Sequence, residues 1–163
     1  MNADPLYLTG AIAGRPIAID AALVDSVVDL TSVQPVLGAV PAILGLAALR
    51  SRVLTAVDCA VALGLSDGRL PADREPASPL STVVIMIDDY LYGFVMDYVD
   101  DVVPADRPVK AAGVPLGGPW TAVGTGIIEV SGVPLLVIDP AAVLAMLTPR
   151  AAQPINAALT SGR

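Results

Sequence analysis

Apolar positions along the chain recur in short alternating runs rather than at helical spacing. Leu6, Leu8 and Ile12 fall on alternate positions, Gly14-Arg15-Pro16 makes a turn, and Ile17-Ala18-Ile19 resumes the run. Successive strand side chains point to opposite faces, so alternation broken by a Gly/Pro turn predicts a β-hairpin. Val83 to Ile87, the turn Asp88-Asp89, and Tyr90, Tyr92 and Phe94 on alternate positions predict another. A third strand follows each hairpin, at Val24-Asp25-Ser26-Val27-Val28 and at Val99-Asp100-Asp101-Val102-Val103. After a Pro/Gly-rich loop, each half continues with a hairpin turning at Arg50-Ser51-Arg52 or at Ser131-Gly132. The closing strands end at Asp58 and Asp139, whose carboxylates can accept from the orphan amides of a following helical turn. Pro140 occupies the favoured first helical position.

The chain is therefore written twice. The Val-Asp-x-Val-Val segment returns at an offset of 75 residues, and Leu54-Thr55-Ala56-Val57-Asp58 returns as Leu135-Leu136-Val137-Ile138-Asp139 at an offset of 81. One six-residue insertion in the middle of the second copy reconciles the two offsets. Each copy supplies about five short strands, and closing so small a sheet into a barrel removes its unpaired edges. The expected architecture is all-β with short helices: two small barrels in tandem, over about residues 6–65 and 82–147, then a short C-terminal helix. Residues 66–81, with Pro71, Pro76 and Pro79, read as a polar loop or linker, and residues 149–163 as a flexible tail.

Composition narrows the chemistry. Of 163 residues, 55% are apolar and 4% aromatic, which excludes disorder. Histidine is absent, which removes Ser-His-Asp and Cys-His catalysis and histidine-based zinc sites. Cys59 stands alone, so no intrachain disulfide can form. Sixteen acidic residues against nine basic ones leave a charge of −7, with Lys110 the sole lysine, which disfavours nucleic acid as a partner. The charge-free stretch Leu30 to Leu49 is broken by Pro35, Gly38, Pro41 and Gly45, and Ala111 to Ile128 holds five glycines and two prolines. Neither reads as a membrane span, and the N-terminus lacks a signal-peptide layout, so a cytoplasmic location is expected.

The order of these segments resembles the CheW-type chemotaxis coupling family. The matching pieces are the opening Leu-x-Leu-x-Gly hairpin, Val24-Asp25-Ser26-Val27, Gly45-x-x-x-Leu49-Arg50, and Val57-Asp58. In the second half they are Gly93-Phe94-Val95-Met96-Asp97-x-Val99, Thr125-Gly126 and Leu135 to Asp139. The resemblance implies a CheW-like domain over residues 1–148, made of two five-stranded SH3-like barrels packed on a shared core. It implies a non-enzymatic adaptor without cofactor or metal, cytoplasmic and recruited to membrane-associated receptor arrays. Its expected partners are the cytoplasmic tip of a methyl-accepting chemoreceptor and the regulatory domain of a chemotaxis histidine kinase. By position, Val24, Ser26, Val27, Arg50, Val99 and Val102 would line or border the receptor groove. The chain departs from the family pattern at Ser26, at Ala47-Ala48 before Leu49-Arg50, and at Ser51 after it.

Each of these residues also has a plainer reading. Arg50 is either a forked donor to a partner carboxylate or a solvated turn arginine like Arg52. On a strand, Val24 and Val28 point opposite to Val27, so one of the two faces looks outward and could receive an amphipathic helix. Tyr90, Tyr92 and Phe94 are expected to fill one face of the second barrel, with Tyr98 the most exposed aromatic. Asp88-Asp89 is good turn chemistry, and alternation sends Asp100 and Asp101 to opposite faces, which is poor for a catalytic dyad. Gly113, Gly117, Gly118, Gly124 and Gly126 lack the Gly-Lys-Ser/Thr of a phosphate loop. A small barrel that binds an apolar ligand is the alternative function, opposed by the narrow, filled interior expected of so short a unit.

Overall fold

The computed structural model describes residues 5–66, 79–106 and 117–147. Most of the loop at 66–81, the tail from 149, Lys110 and Gly113 lie outside these described residues. The first half contains β1 (Leu6–Ile12), β2 (Arg15–Asp20), β3 (Val24–Leu30), β4 (Ile43–Leu49), β5 (Arg52–Asp58) and α1 (Cys59–Ala62). The second contains β6 (Leu80–Ile87), β7 (Tyr90–Val95), β8 (Tyr98–Pro104), α2 (Trp120–Val123), β9 (Gly124–Val130), β10 (Val133–Ile138) and α3 (Pro140–Ala145). Asp58 caps α1 by accepting from the Ala60 and Val61 amides, and Asp139 caps α3 by accepting from that of Ala141.

The strands form two five-stranded sheets, β8-β1-β2-β10-β9 and β3-β6-β7-β5-β4. The two sheets are as expected, but the unit boundaries at 6–65 and 82–147 are not. Each sheet joins the opening hairpin of one half to the last three strands of the other. The chain leaves the first sheet through a single turn of 3₁₀ helix at Ala21–Leu23, where the Ala22 amide donates to Asp20 Oδ1 at 2.9 Å. Replacing every strand by its repeat equivalent converts one sheet order into the other, so the exchange is reciprocal.

The two offsets hold residue by residue. Leu8 opposite Ile19 becomes Val83 opposite Phe94, both related by 75. Gly45 opposite Ala56 becomes Gly126 opposite Val137, both related by 81. Across the parallel contacts the offsets combine, since Leu136 opposite Ile17 answers to Thr55 opposite Tyr92.

Backbone bonds bring the outer strands of each sheet together. In the second sheet Gln34 and Leu46 exchange amide-to-carbonyl bonds of 2.7 and 2.9 Å, and in the first the Asp106 amide donates to the Glu129 carbonyl at 2.8 Å. Gly45 permits this approach, because a Cβ there would stand 2.0 Å from the Gln34 carbonyl oxygen and φ is 142°.

Three apolar clusters follow from this layout. One lies within the first sheet (Tyr7, Ala18, Ile128, Leu135, Val137) and one within the second (Leu30, Ala47, Leu54, Ala56, Val84, Leu91, Val95). The largest draws on both sheets and all three helices, from Leu8 and Ile19 to Val83, Phe94, Leu136 and Val143. Central strands are buried on both faces, which explains unbroken runs such as Leu135 to Ile138. Tyr92 and Phe94 belong to this shared cluster, with Tyr90 packed against it, rather than to a second-half barrel. The exchanged hairpin carries them between the sheets.

Candidate functional site

The six candidate residues fall on two equivalent outer strands and one turn. Val24, Ser26 and Val27 lie on β3, at the edge of the second sheet, and Val99 and Val102 lie on β8, at the edge of the first. Both strands bulge at the same repeat position, Asp25 between Val24 and Ser26, and Asp100-Asp101 opposite Thr9. A bulge twists an edge strand and spoils it as a template for unwanted pairing. It also interrupts the expected alternation, so Asp100 and Asp101 are both exposed. On β3 the shift sends Val24 towards the shared cluster and Val28 towards the second sheet's own cluster.

The valines thus divide into two kinds. Val24 and Val99 are half-buried against the shared cluster. Val27 and Val102 keep 46% and 47% of their surface exposed. The 75-residue offset relates the members of each pair.

Arg50 opens the β4–β5 turn, is exposed, and adopts a φ of 58°. The other three hairpin turns carry two consecutive positive φ values, at Ala13-Gly14, Asp88-Asp89 and Ser131-Gly132. In the β4–β5 turn Arg50 alone is positive, at a first turn position that glycine favours when only that residue is left-handed. Next to it, the Arg52 Nη2 donates to Asp25 Oδ2 at 3.1 Å, and the Ser26 hydroxyl donates to the same oxygen at 3.1 Å. The hydrogen bond from the Arg52 guanidinium holds the Asp25 carboxyl below its ordinary range against the opposing effect of burial, with lesser help from the Ser26 hydroxyl and the Arg50 charge. Ser26 and Arg50 are linked through Asp25, whereas Val99 and Val102 lie on the other sheet.

Asp25 and Arg52 are therefore part of the rim, and sequence reasoning left both out. Their pairing spans 27 residues, and only the meeting of β3 with the β4–β5 turn exposes it. The equivalent rim of the first sheet has Asp100, Asp101, Ser131 and Val133 in place of Asp25, Ser26, Arg50 and Arg52. Its acids have no matching arginines at those positions. Among the departures from the family pattern, Ala47 is buried in the second sheet's cluster, while Ala48 and Ser51 are exposed.

These groups suit recognition of a protein surface: a guanidinium held out on a turn, an ion pair beside it, and exposed valines on edge strands. Among the described residues, no three His, Cys, Asp or Glu side chains gather as metal ligands would. Cys59 is fully buried, and burial pushes its thiol far above the ordinary range, so it is no nucleophile. No helix among the described residues is long and apolar enough to cross a membrane.

Comparison with known proteins bears on the whole arrangement. The family model for the CheW-like domain matches residues 6–148. No curated protein matches the chain. The crystal structure of the scaffolding protein TtCheW from Thermoanaerobacter tengcongensis superposes with a TM-score of 0.69 at 18% identity, covering 84% of this chain and 90% of that one. That likeness shows a common fold, and the family model spans both exchanged sheets from β1 to the end of α3. On this match the chain belongs to the CheW-like domain family.

Proposed function

We propose that this protein is a non-enzymatic adaptor that couples the cytoplasmic tip of a methyl-accepting chemoreceptor to the regulatory domain of a chemotaxis histidine kinase. It would act in the cytoplasm, held at membrane-associated receptor arrays by its partners. Family membership supports the class of function, and the Arg50 rim is the observation that carries the assignment to particular residues. Arg52 is already paired with Asp25, its Nη2 standing 3.1 Å from Oδ2. Arg50 acts on Asp25 through its charge, without a hydrogen bond or ion pair among the described residues, and its planar donors suit a partner carboxylate. An arginine kept at a left-handed φ, where glycine would be unstrained, marks a position with a role other than stability. Val27 and Val102 supply apolar area on the two edge strands, with Val24, Val99 and Ser26 setting the strand surface behind them.

The test is capture of purified kinase and receptor fragments by the wild-type protein, by Arg50→Glu and by Arg50→Gly. Wild type should retain both fragments, and Arg50→Glu should lower capture of at least one by roughly tenfold or more, since a like-charge contact costs several kcal/mol. Arg50→Gly should weaken capture while folding normally, because glycine suits the turn. Failure of the wild type to hold either fragment would overturn the adaptor reading.

The apolar-ligand alternative has less support. Both barrel interiors are filled by their own clusters. A groove of about 360 Å³ runs outside, along the seam between β3 and β4, from Val28 and Leu30 to Leu46 and Leu49. A co-purified small molecule in a native mass spectrum would favour that alternative.

A further inference from the structure

The β1–β2 hairpin turns on two left-handed residues, Ala13 at a φ of 50° and Gly14 at 80°. Asp97, in the link between β7 and β8, accepts from the Ala13 amide at 3.0 Å and from the Gly14 amide at 2.7 Å. The tip is thereby tied down, and Arg15 follows it as the first residue of β2. Its guanidinium lies over the ring of Trp120, the first residue of α2, with Cζ 5.0 Å from the ring centroid. A cation over an aromatic face is attracted by the ring's quadrupole, most strongly on tryptophan.

An open cavity of about 580 Å³ is lined by Ala13, Gly14, Arg15, Pro16, Leu65 and Trp120, a volume typical of small-molecule sites. Trp120 is buried, and Pro16 and Leu65 are exposed apolar walls. Arg15 is the one charged side chain among the lining residues. Its guanidinium meets no carboxylate among the described residues, where the ion pair joins Arg52 to Asp25. The fold does not demand this pairing of arginine and tryptophan. The repeat offsets put Tyr90 in the place of Arg15 and Ala39 in the place of Trp120, and the β6–β7 hairpin keeps its register without them.

We infer that this cavity binds a small amphipathic carboxylate, a single negative charge on a short apolar or aromatic body. A guanidinium presents paired N–H donors in one plane, which match the two oxygens of a carboxylate. The acid group pairs with Arg15, and the body displaces water from Leu65 and Pro16. A phosphate monoester carries a second charge near neutral pH that no other lining side chain answers. The chain's net charge of −7 disfavours anions at long range, and physiological salt screens that effect beyond about 8 Å. The site is independent of the adaptor assignment, since Arg15 belongs to the first sheet and the Arg50 rim to the second.

Trp120 is the chain's only tryptophan, so its emission reports on this cavity. The probe is 3-phenylpropanoate, titrated into the whole chain and followed by Trp120 fluorescence and by calorimetry. Emission should change saturably, with a Kd of roughly 1 mM or tighter for a ligand of this size. 3-Phenylpropanamide lacks the charge and acetate lacks the body, and each should bind at least about tenfold more weakly. 2-Phenylethyl phosphate should bind no more tightly than the carboxylate. Arg15→Gln should weaken 3-phenylpropanoate by about tenfold and remove its advantage over the amide. Leu65→Ala should weaken 3-phenylpropanoate and leave acetate unchanged. Absence of a saturable change in the wild type would overturn the inference. So would equal binding of acid and amide, tighter binding of the phosphate ester, or full affinity for 3-phenylpropanoate in either variant.

Discussion

Thr55 shows how far one residue can depart from its copy. Its hydroxyl is buried and finds no hydrogen-bond partner among the described residues. The equivalent position in the second copy is Leu136, a member of the shared cluster. A buried hydroxyl left unpaired costs about 1–3 kcal/mol, whereas an apolar group of the same shape loses nothing there. Thr55→Val should therefore raise the melting temperature by about 2–4 °C for each kcal/mol recovered in a chain of this length, as calorimetry would show. A fall instead would mean that an ordered water satisfies the hydroxyl. Gly93 is the converse case. A Cβ there would meet the Thr82 methyl at 2.8 Å and a Leu54 methyl at 2.9 Å, while the other copy has Ala18 at that place. Residues at equivalent positions have been adjusted to different neighbours, and the backbone register has stayed the same.

Among elements, the seam between β3 and β4 is the most exacting. Gly45→Ala would drive a methyl into the Gln34 carbonyl and fix a residue with a side chain at a φ of 142°. Strain and overpacking together predict a loss of at least about 2 kcal/mol, read as a lower midpoint in denaturant unfolding. Local elements were legible in the chain because their signals are local: period-two alternation, turn pairs such as Asp88-Asp89 and Ser131-Gly132, and the aspartate caps before α1 and α3. The repeat offsets were legible too, and they reappear in the pairing register. The partner of each strand was not. Offsets state which strands correspond, and a hairpin has the same sequence whether it pairs within its own half or with the other. The bulges at Asp25 and Asp100 leave no compositional mark, so the outward side of β3 and β8 could not be assigned residue by residue. For the same reason Arg52 read as an ordinary turn arginine until β3 brought Asp25 beside it.

For the whole molecule, the exchange of hairpins decides what counts as a folding unit. Neither sheet can be completed by one half of the chain, since β1 and β2 need β8, β9 and β10, and β6 and β7 need β3, β4 and β5. Fragments 1–66 and 79–163 expressed separately should show no cooperative melting by circular dichroism. Mixed together, they should recover it as a 1:1 complex. Independent melting of either fragment would restore contiguous barrels. The same topology is that of a hairpin-swapped homodimer whose two subunits have been joined into one polypeptide. In a true homodimer every surface substitution appears twice, so the two faces can never differ. Fusion lifts that constraint. Arg50 and Arg52 stand on one side where Ser131 and Val133 stand on the other, giving a symmetric frame two unlike faces. Fusion of the two copies supplies such polarity without a new fold.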